Sequence, residues 1–136
     1  MTVTIGRREL LAALGGAAAA RPLAAQAQQG TMSNAFPGVG HRYFVDFKAF
    51  QVELDFTSDT SLTYYKLDKA GNKIGSGTVT IKVEQITDGI FLVTWQESDK
   101  TTVVHVEDYV RHTIVTNVTE PDLTFDQFHG TFRQLS

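Results

Sequence analysis

Residues 50–56 read FQVELDF, and this stretch sets the pattern that decides the fold of the 136-residue chain. Its four apolar residues alternate strictly with polar ones, so their side chains share one face of an extended strand. The same alternation recurs between clusters of turn-forming residues. We therefore predict eight strands, at residues 41–48, 50–57, 61–67, 77–86, 90–96, 101–108, 112–119 and 124–133.

An antiparallel sheet with one apolar face has to bury that face. Eight strands can do so by curling and closing on themselves, which also removes exposed strand edges. We expect an all-β domain that forms a single antiparallel up-and-down barrel, and a two-sheet sandwich is the alternative. A barrel of this size is either filled by side chains or holds one small ligand. The glycine-rich residues 71–77 (GNKIGSG) are expected to form a flexible loop at its mouth.

The first 27 residues have the pattern of a bacterial export signal. Arg7 and Arg8 precede an apolar run without charges, and Ala25 and Ala27 form a small-x-small cleavage site. The consecutive arginines resemble the twin-arginine motif. We predict a cleaved signal peptide at residues 1–27, recognised by the export machinery, and a periplasmic or secreted protein.

Composition limits the remaining chain, which we divide into a linker or strap at 28–40 and a barrel domain at 41–136. The net charge of −3 and the pI near 5.7 argue against a nucleic-acid partner. The absence of cysteine excludes disulfides, thiol catalysis and cysteine-based zinc sites. The apolar run of the leader is shorter than the ~20 residues that span a bilayer, so we expect no stable membrane insertion. Whether the protein forms a homodimer stays open.

The fifth predicted strand carries the first candidate site. Trp95 and Glu97 are two residues apart, so they share the strand face that also carries Phe91 and Val93. A carboxylate beside an indole inside an apolar cavity is suited to general acid–base catalysis. The alternative is that Glu97 ends the strand in solvent and pairs with Lys100.

The sixth predicted strand has two unlike faces. One carries His105 and Glu107, and the other carries the more apolar Val104 and Val106. Periodicity alone places His105 outside, but the lumen of small barrels is often the mixed face, so both orientations stay open. The histidines have no spacing typical of metal ligands, and we expect no metal or cofactor.

Several segments resemble the MoaF-like domain family, whose members are lipocalin-like, calycin-type barrels. They are residues 52–64 (VELDFTSDTSLTY), 89–97 (GIFLVTWQE), 101–108 (TTVVHVED), 116–120 (TNVTE) and 130–133 (GTFR). The resemblance extends from about residue 39 to 133, nearly the whole predicted mature chain. It implies a barrel fold more specifically than it implies a reaction.

A more distant resemblance is to the phenolic acid decarboxylases, which share the barrel and a similar W-x-E strand. Their sites use an interior Glu, an Arg and a Tyr-x-Tyr pair on the first strand. Glu97 matches the catalytic Glu, whereas Val45 and Phe47 occupy the tyrosine positions. The Arg position falls near Ile74, in a segment that contains Lys73 but no Arg. The resemblance implies a shared cavity more than a shared reaction.

Three functions remain open. The leading one is binding of a small apolar or aromatic ligand in the lumen; the others are a cofactor-free lyase or isomerase, and a packed interaction domain without a cavity. Glu97, with His105 or Tyr64, is the catalytic candidate for the enzyme. The candidate ligand-binding residues are Phe47, Tyr64, Trp95, Glu97 and His105.

Overall fold

The computed structural model of the protein describes residues 35–136. The predicted signal peptide, with Arg7, Arg8, Ala25 and Ala27, lies outside the described residues, as does most of the predicted linker. Residues 35–136 contain strands and turns but no α-helix. Accordingly, this part of the chain offers no long apolar helix that could cross a membrane.

Nine strands form one antiparallel sheet in which each strand pairs with its neighbours along a curled ribbon. They are β1 Arg42–Asp46, β2 Gln51–Phe56, β3 Ser61–Leu67, β4 Lys73–Thr80, β5 Lys82–Thr87, β6 Ile90–Gln96, β7 Thr102–Asp108, β8 Thr113–Thr119 and β9 Phe125–Gln134. Their order across the sheet is β4-β3-β2-β1-β9-β8-β7-β6-β5. The all-β antiparallel prediction is therefore confirmed, and seven of the eight predicted strands end within two residues of the observed ones.

The prediction of a closed eight-stranded barrel is wrong. The predicted strand 77–86 is two strands, because the chain changes partners at Ile81, whose amide donates to the Thr60 carbonyl at 3.0 Å. Before this residue β4 pairs with β3, and after it β5 pairs with β6. β4 and β5 therefore become the two edges of an open, curled sheet. Val79 and Ile81 are both buried, so the alternation of buried and exposed residues continues through the break. Periodicity in the sequence therefore could not indicate where one strand ends and the next begins.

The predicted mouth loop at residues 71–77 is also mostly strand, because β4 begins at Lys73. Gly77 pairs with Tyr64 across β3 and β4. A Cβ atom at Gly77 would lie 2.5 Å from the Tyr64 hydroxyl, so the glycine leaves the space in which the tyrosine ring lies. Gly77 thus allows an aromatic neighbour to pack against the strand.

The concave face of the sheet contains the core, and one end of it is filled by aromatic rings. We call this the packed end; its residues are Phe36, Tyr43, Phe56, Phe91, Tyr109 and Phe132. Phe36 lies at its centre, with ring centroids 5.0 Å from Phe56, 5.3 Å from Phe91 and 5.6 Å from Tyr109. The described part of the predicted linker, residues 35–40, therefore packs against the sheet and closes this end.

Candidate ligand cavity

The opposite end of the concave face encloses a cavity of about 430 Å³. Phe47, Val52, Leu54, Val103 and Phe128 supply apolar surface to its wall. The inward residues of β7 and β8 at this end include the small, β-branched Val103, Thr116 and Val118, which line the cavity. The volume falls within the range of pockets that hold one small organic molecule.

The five residues predicted to bind a ligand all line this one cavity: Phe47, Tyr64, Trp95, Glu97 and His105. The structure brings them together from β3, β6, β7 and the segments that follow β1 and β6. Phe47 lies against Gly130 of β9, where a Cβ atom would come within 2.8 Å of its ring. Their roles in binding stay predictions.

Three polar side chains lie together at the inner end of the cavity, and we call them the polar floor: Trp95, His105 and Thr116. His105 and Thr116 are directly opposite each other in the β7–β8 register. The Trp95 ring meets the imidazole edge-on, with centroids 4.7 Å apart at 78°. Both Trp95 Nε1 and Thr116 Oγ1 are buried without a hydrogen-bond partner. Such unpaired groups are rare in native proteins and call for an explanation.

A hydrogen-bonded chain beneath the floor holds His105 in place. Its Nδ1 lies 3.0 Å from Glu107 Oε1, and the Tyr109 hydroxyl donates to Glu107 Oε2 at 2.6 Å. Glu107 is only 1% exposed. Burial, together with the charge and hydrogen bond of Glu107, raises the pKa of Tyr109 above its usual range. Burial and the same negative charge also raise the pKa of Tyr43.

The structure decides which face of β7 is inside. His105 and Glu107 face the core, while Val104 and Val106 lie on the half-buried outer face. The expectation from periodicity alone, with His105 outside, is therefore wrong. The mixed face can be buried because the histidine and the glutamate satisfy each other, which offsets the cost of removing both from water.

Carboxylates dominate the mouth of the cavity. Glu97, Asp99, Glu120 and Asp126 line it, and Lys66 is the only lysine or arginine among the lining side chains. Glu97 lies at the turn that follows β6, where its amide donates to the Thr101 carbonyl at 2.8 Å. The residue is half-buried.

Tyr64 also contributes to this side of the cavity. Burial, then hydrogen bonding and charge from Glu97, raises the pKa of Tyr64 to about 12. This phenol therefore stays protonated over the whole physiological pH range. Tyr64 can donate a hydrogen bond at the mouth, and Glu97 can accept one.

Sequence reasoning missed Glu107, Tyr109 and Thr116 as site residues. The signal was present as His105-x-Glu107-x-Tyr109, three polar groups spaced by two, which places them in reach of one another on one strand face. Thr116 had no such signal, because it depends on the register between β7 and β8. Within residues 35–136 no three His, Cys, Asp or Glu side chains converge in a way that could hold a metal ion.

The comparisons with known proteins bear on the family and on the fold. A family model described as MoaF-like matches residues 39–133. No curated protein matches the chain. A crystal structure of a protein from Burkholderia vietnamiensis, provisionally described as a beta-lactamase, matches with a TM-score of 0.68 and 24% sequence identity. The match covers 76% of this chain and 100% of that one, and at this identity it concerns the fold alone.

Proposed function

The chain belongs to the MoaF-like family, and from this premise we propose that it binds one small, neutral, largely apolar or aromatic ligand in the cavity. The ligand carries an oxygen that accepts hydrogen bonds at the polar floor. The observation that carries the proposal is a largely apolar cavity of about 430 Å³, whose lining residues Trp95 and Thr116 each have a buried polar atom without a hydrogen-bond partner. An acceptor oxygen of a bound ligand would supply the missing partner of a group that turns toward it.

The charges of the lining residues support a neutral ligand. Four carboxylates surround the mouth against a single ammonium group, that of Lys66. An anionic ligand would be repelled on entry and would meet no guanidinium inside. This disfavours a carboxylate substrate of the kind that phenolic acid decarboxylases use, in agreement with Val45 and Phe47 at the tyrosine positions of those enzymes.

The other hypotheses have less support. A packed interaction domain is disfavoured by the cavity. Glu97 is less suited to acid–base catalysis than a buried group, because it lies at the mouth and not at the polar floor. The sequence has no Ser-x-x-Lys motif of serine beta-lactamases, so the description of the Burkholderia protein supports no activity for this chain.

A fluorescence titration tests the proposal, because Trp95 is the only tryptophan of the chain. Phenylacetone, a neutral aromatic ketone, should change the emission of the full-length protein, and phenylacetate should bind more weakly. Val118→Phe places a larger side chain in the cavity and should abolish binding. Val115→Phe on the outer face of β8 is the matched control and should bind normally. No binding of the ketone, or equal binding by the Val118→Phe variant, would refute the proposal.

We also propose that the protein acts after export, as the leader sequence predicts. Replacing Arg7 and Arg8 with lysines should stop export if the twin-arginine pathway is used. The mature N-terminus should be Gln28. Undiminished export of the variant would indicate the general secretory route, and an intact Met1 on exported protein would refute the signal peptide.

A further inference from the structure

His105 is held in the orientation of a general base. Its Nδ1 lies 3.0 Å from the buried carboxylate of Glu107, whose second oxygen accepts from Tyr109 at 2.6 Å. A carboxylate can only accept hydrogen bonds, so Nδ1 carries the proton and Nε2 keeps a lone pair. Since Glu107 does not line the cavity and His105 does, Nε2 is the nitrogen on the cavity side. The carboxylate would stabilise the imidazolium that forms when Nε2 takes a proton.

The same floor contains donors for a developing negative charge. Trp95 Nε1–H and the Thr116 hydroxyl are buried and unpaired, and they lie on the two strands that flank His105. Donors fixed in a site that excludes water stabilise an oxyanion without having to reorganise during the reaction. A base with an orienting carboxylate, flanked on the neighbouring strands by two unpaired donors, supplies the kinds of group that proton abstraction next to a carbonyl group needs.

We propose that the cavity catalyses enolisation of a small, neutral, apolar or aromatic carbonyl compound, with His105 as the base. His105 Nε2 removes a proton from the carbon next to the carbonyl group. The electron pair of that C–H bond forms a C=C bond, and the carbonyl oxygen becomes an oxyanion held by Trp95 and Thr116. The imidazolium returns the proton to the same carbon, or to a conjugated one when the substrate has a second double bond.

The outcome is hydrogen exchange or double-bond isomerisation, and neither needs a cofactor, an oxidant or a second substrate. The inference rests on the proposed binding function and adds a reaction to it. It also moves the acid–base role from Glu97 at the mouth to His105 at the floor, with Glu107 as the positioning residue.

Deuterium exchange into phenylacetone tests the reaction, and fluorescence of Trp95 measures binding in the same samples. The full-length protein in D₂O should speed exchange at the methylene carbon about a hundredfold over an equal concentration of free imidazole. His105→Gln should remove the acceleration. His129→Gln, an exposed histidine on β9, is the matched control and should retain it.

Glu107→Gln tests the positioning role without changing side-chain volume. Its amide nitrogen can donate to Nδ1, which leaves the proton on Nε2 and removes the base while the hydrogen-bonded chain persists. The exchange rate should fall about a hundredfold, the dissociation constant should stay within a factor of about three, and the ¹⁵N shifts of His105 should report the exchanged tautomer. If this variant does not fold, Thr116→Val should still reduce the exchange rate, because one oxyanion donor is lost.

The outcomes separate the two proposals. Binding of phenylacetone without accelerated exchange overturns the enolisation and leaves ligand binding standing. Acceleration that survives His105→Gln also overturns it, since another base would then be responsible. Absence of binding overturns both proposals.

Discussion

The packed end and the cavity share the same strands but differ in how they fill the space. Phe91, Glu107 and Ile114 belong to the filled half, where no space for a water molecule remains. Further along the same strands, Trp95, Val103 and Val118 line a cavity of about 430 Å³. One curled sheet thus combines a tightly packed half and a hollow half along the same strands. Rings supply the buried area at one end, and smaller side chains leave a cavity at the other.

The boundary between the two halves is the His105–Glu107–Tyr109 chain. Tyr109 packs among the rings, with centroids 5.0 Å from Phe132 and 5.8 Å from Tyr43. Its hydroxyl reaches Glu107, and Glu107 in turn reaches the histidine of the polar floor. Rigid packing at one end therefore fixes the position of the imidazole at the other.

The largest expected effect is truncation of a ring in the packed end. Phe56 is fully buried, so Phe56→Ala should lower the free energy of unfolding by about 4 kcal/mol, through lost burial and an unfilled cavity. Phe128→Ala at the cavity, where the ring is half-buried and already faces empty space, should cost no more than about 2 kcal/mol. Urea denaturation of both variants measures the difference. Equal losses would contradict the division into a stabilising and a hollow half.

Removal of the Glu107 carboxylate should have the next largest effect on the free energy of unfolding. Glu107→Ala leaves the Tyr109 hydroxyl and His105 Nδ1 buried without partners, and we expect a loss of about 3 kcal/mol. Glu107→Gln keeps the volume and both hydrogen bonds, so it should cost about 1 kcal/mol. The same denaturation experiment checks both values. If Glu107→Gln lowered the free energy of unfolding as much as Glu107→Ala, the negative charge of Glu107, and not only its hydrogen bonds, would stabilise the fold.

A substitution at the polar floor should raise the free energy of unfolding, whereas the two preceding changes lower it. Thr116→Val replaces a buried, unpaired hydroxyl by a methyl group of the same shape, so the ligand-free protein should gain about 1 kcal/mol. It should also bind phenylacetone more weakly, which is the trade-off expected at a functional site. Thr63→Val, on an exposed hydroxyl paired with Thr78 at 2.9 Å, is the control and should change stability by less than about 0.5 kcal/mol. A destabilised Thr116→Val variant would contradict an unpaired hydroxyl.

The two halves also differ in how far the sequence predicted them. Period-two alternation identified the sheet and most strand ends, because burial of one face fixes the face of every residue on a strand. It could not detect the change of partner at Ile81, where alternation continues while the hydrogen bonds pass from one neighbour to another. Trp95 and Glu97 were paired correctly on one face by their spacing. The unpaired state of Thr116 depends on register and on empty space, and neither leaves a pattern in the sequence.

The smallest effect that we predict is a contribution of Tyr64, in the cavity, to the pH dependence of the free energy of unfolding. The pKa of Tyr64 is about 12 in the folded protein against 10.0 as its ordinary value, so between these pH values the folded state binds more protons than the unfolded state. The free energy of unfolding should therefore fall as pH rises through this window, with the full contribution present below pH 10.

Tyr64→Phe should make this fall shallower, by less than about 1 kcal/mol because water screens a partly exposed group. Glu97→Gln removes the negative charge of Glu97 but leaves burial and an acceptor oxygen in place, so it should have a smaller effect in the same direction. Tyr43 and Tyr109 at the packed end also have raised pKa values, so part of the slope should remain in both variants. Unfolding curves at several pH values between 9 and 12 would contradict this account if Tyr64→Phe left the slope unchanged.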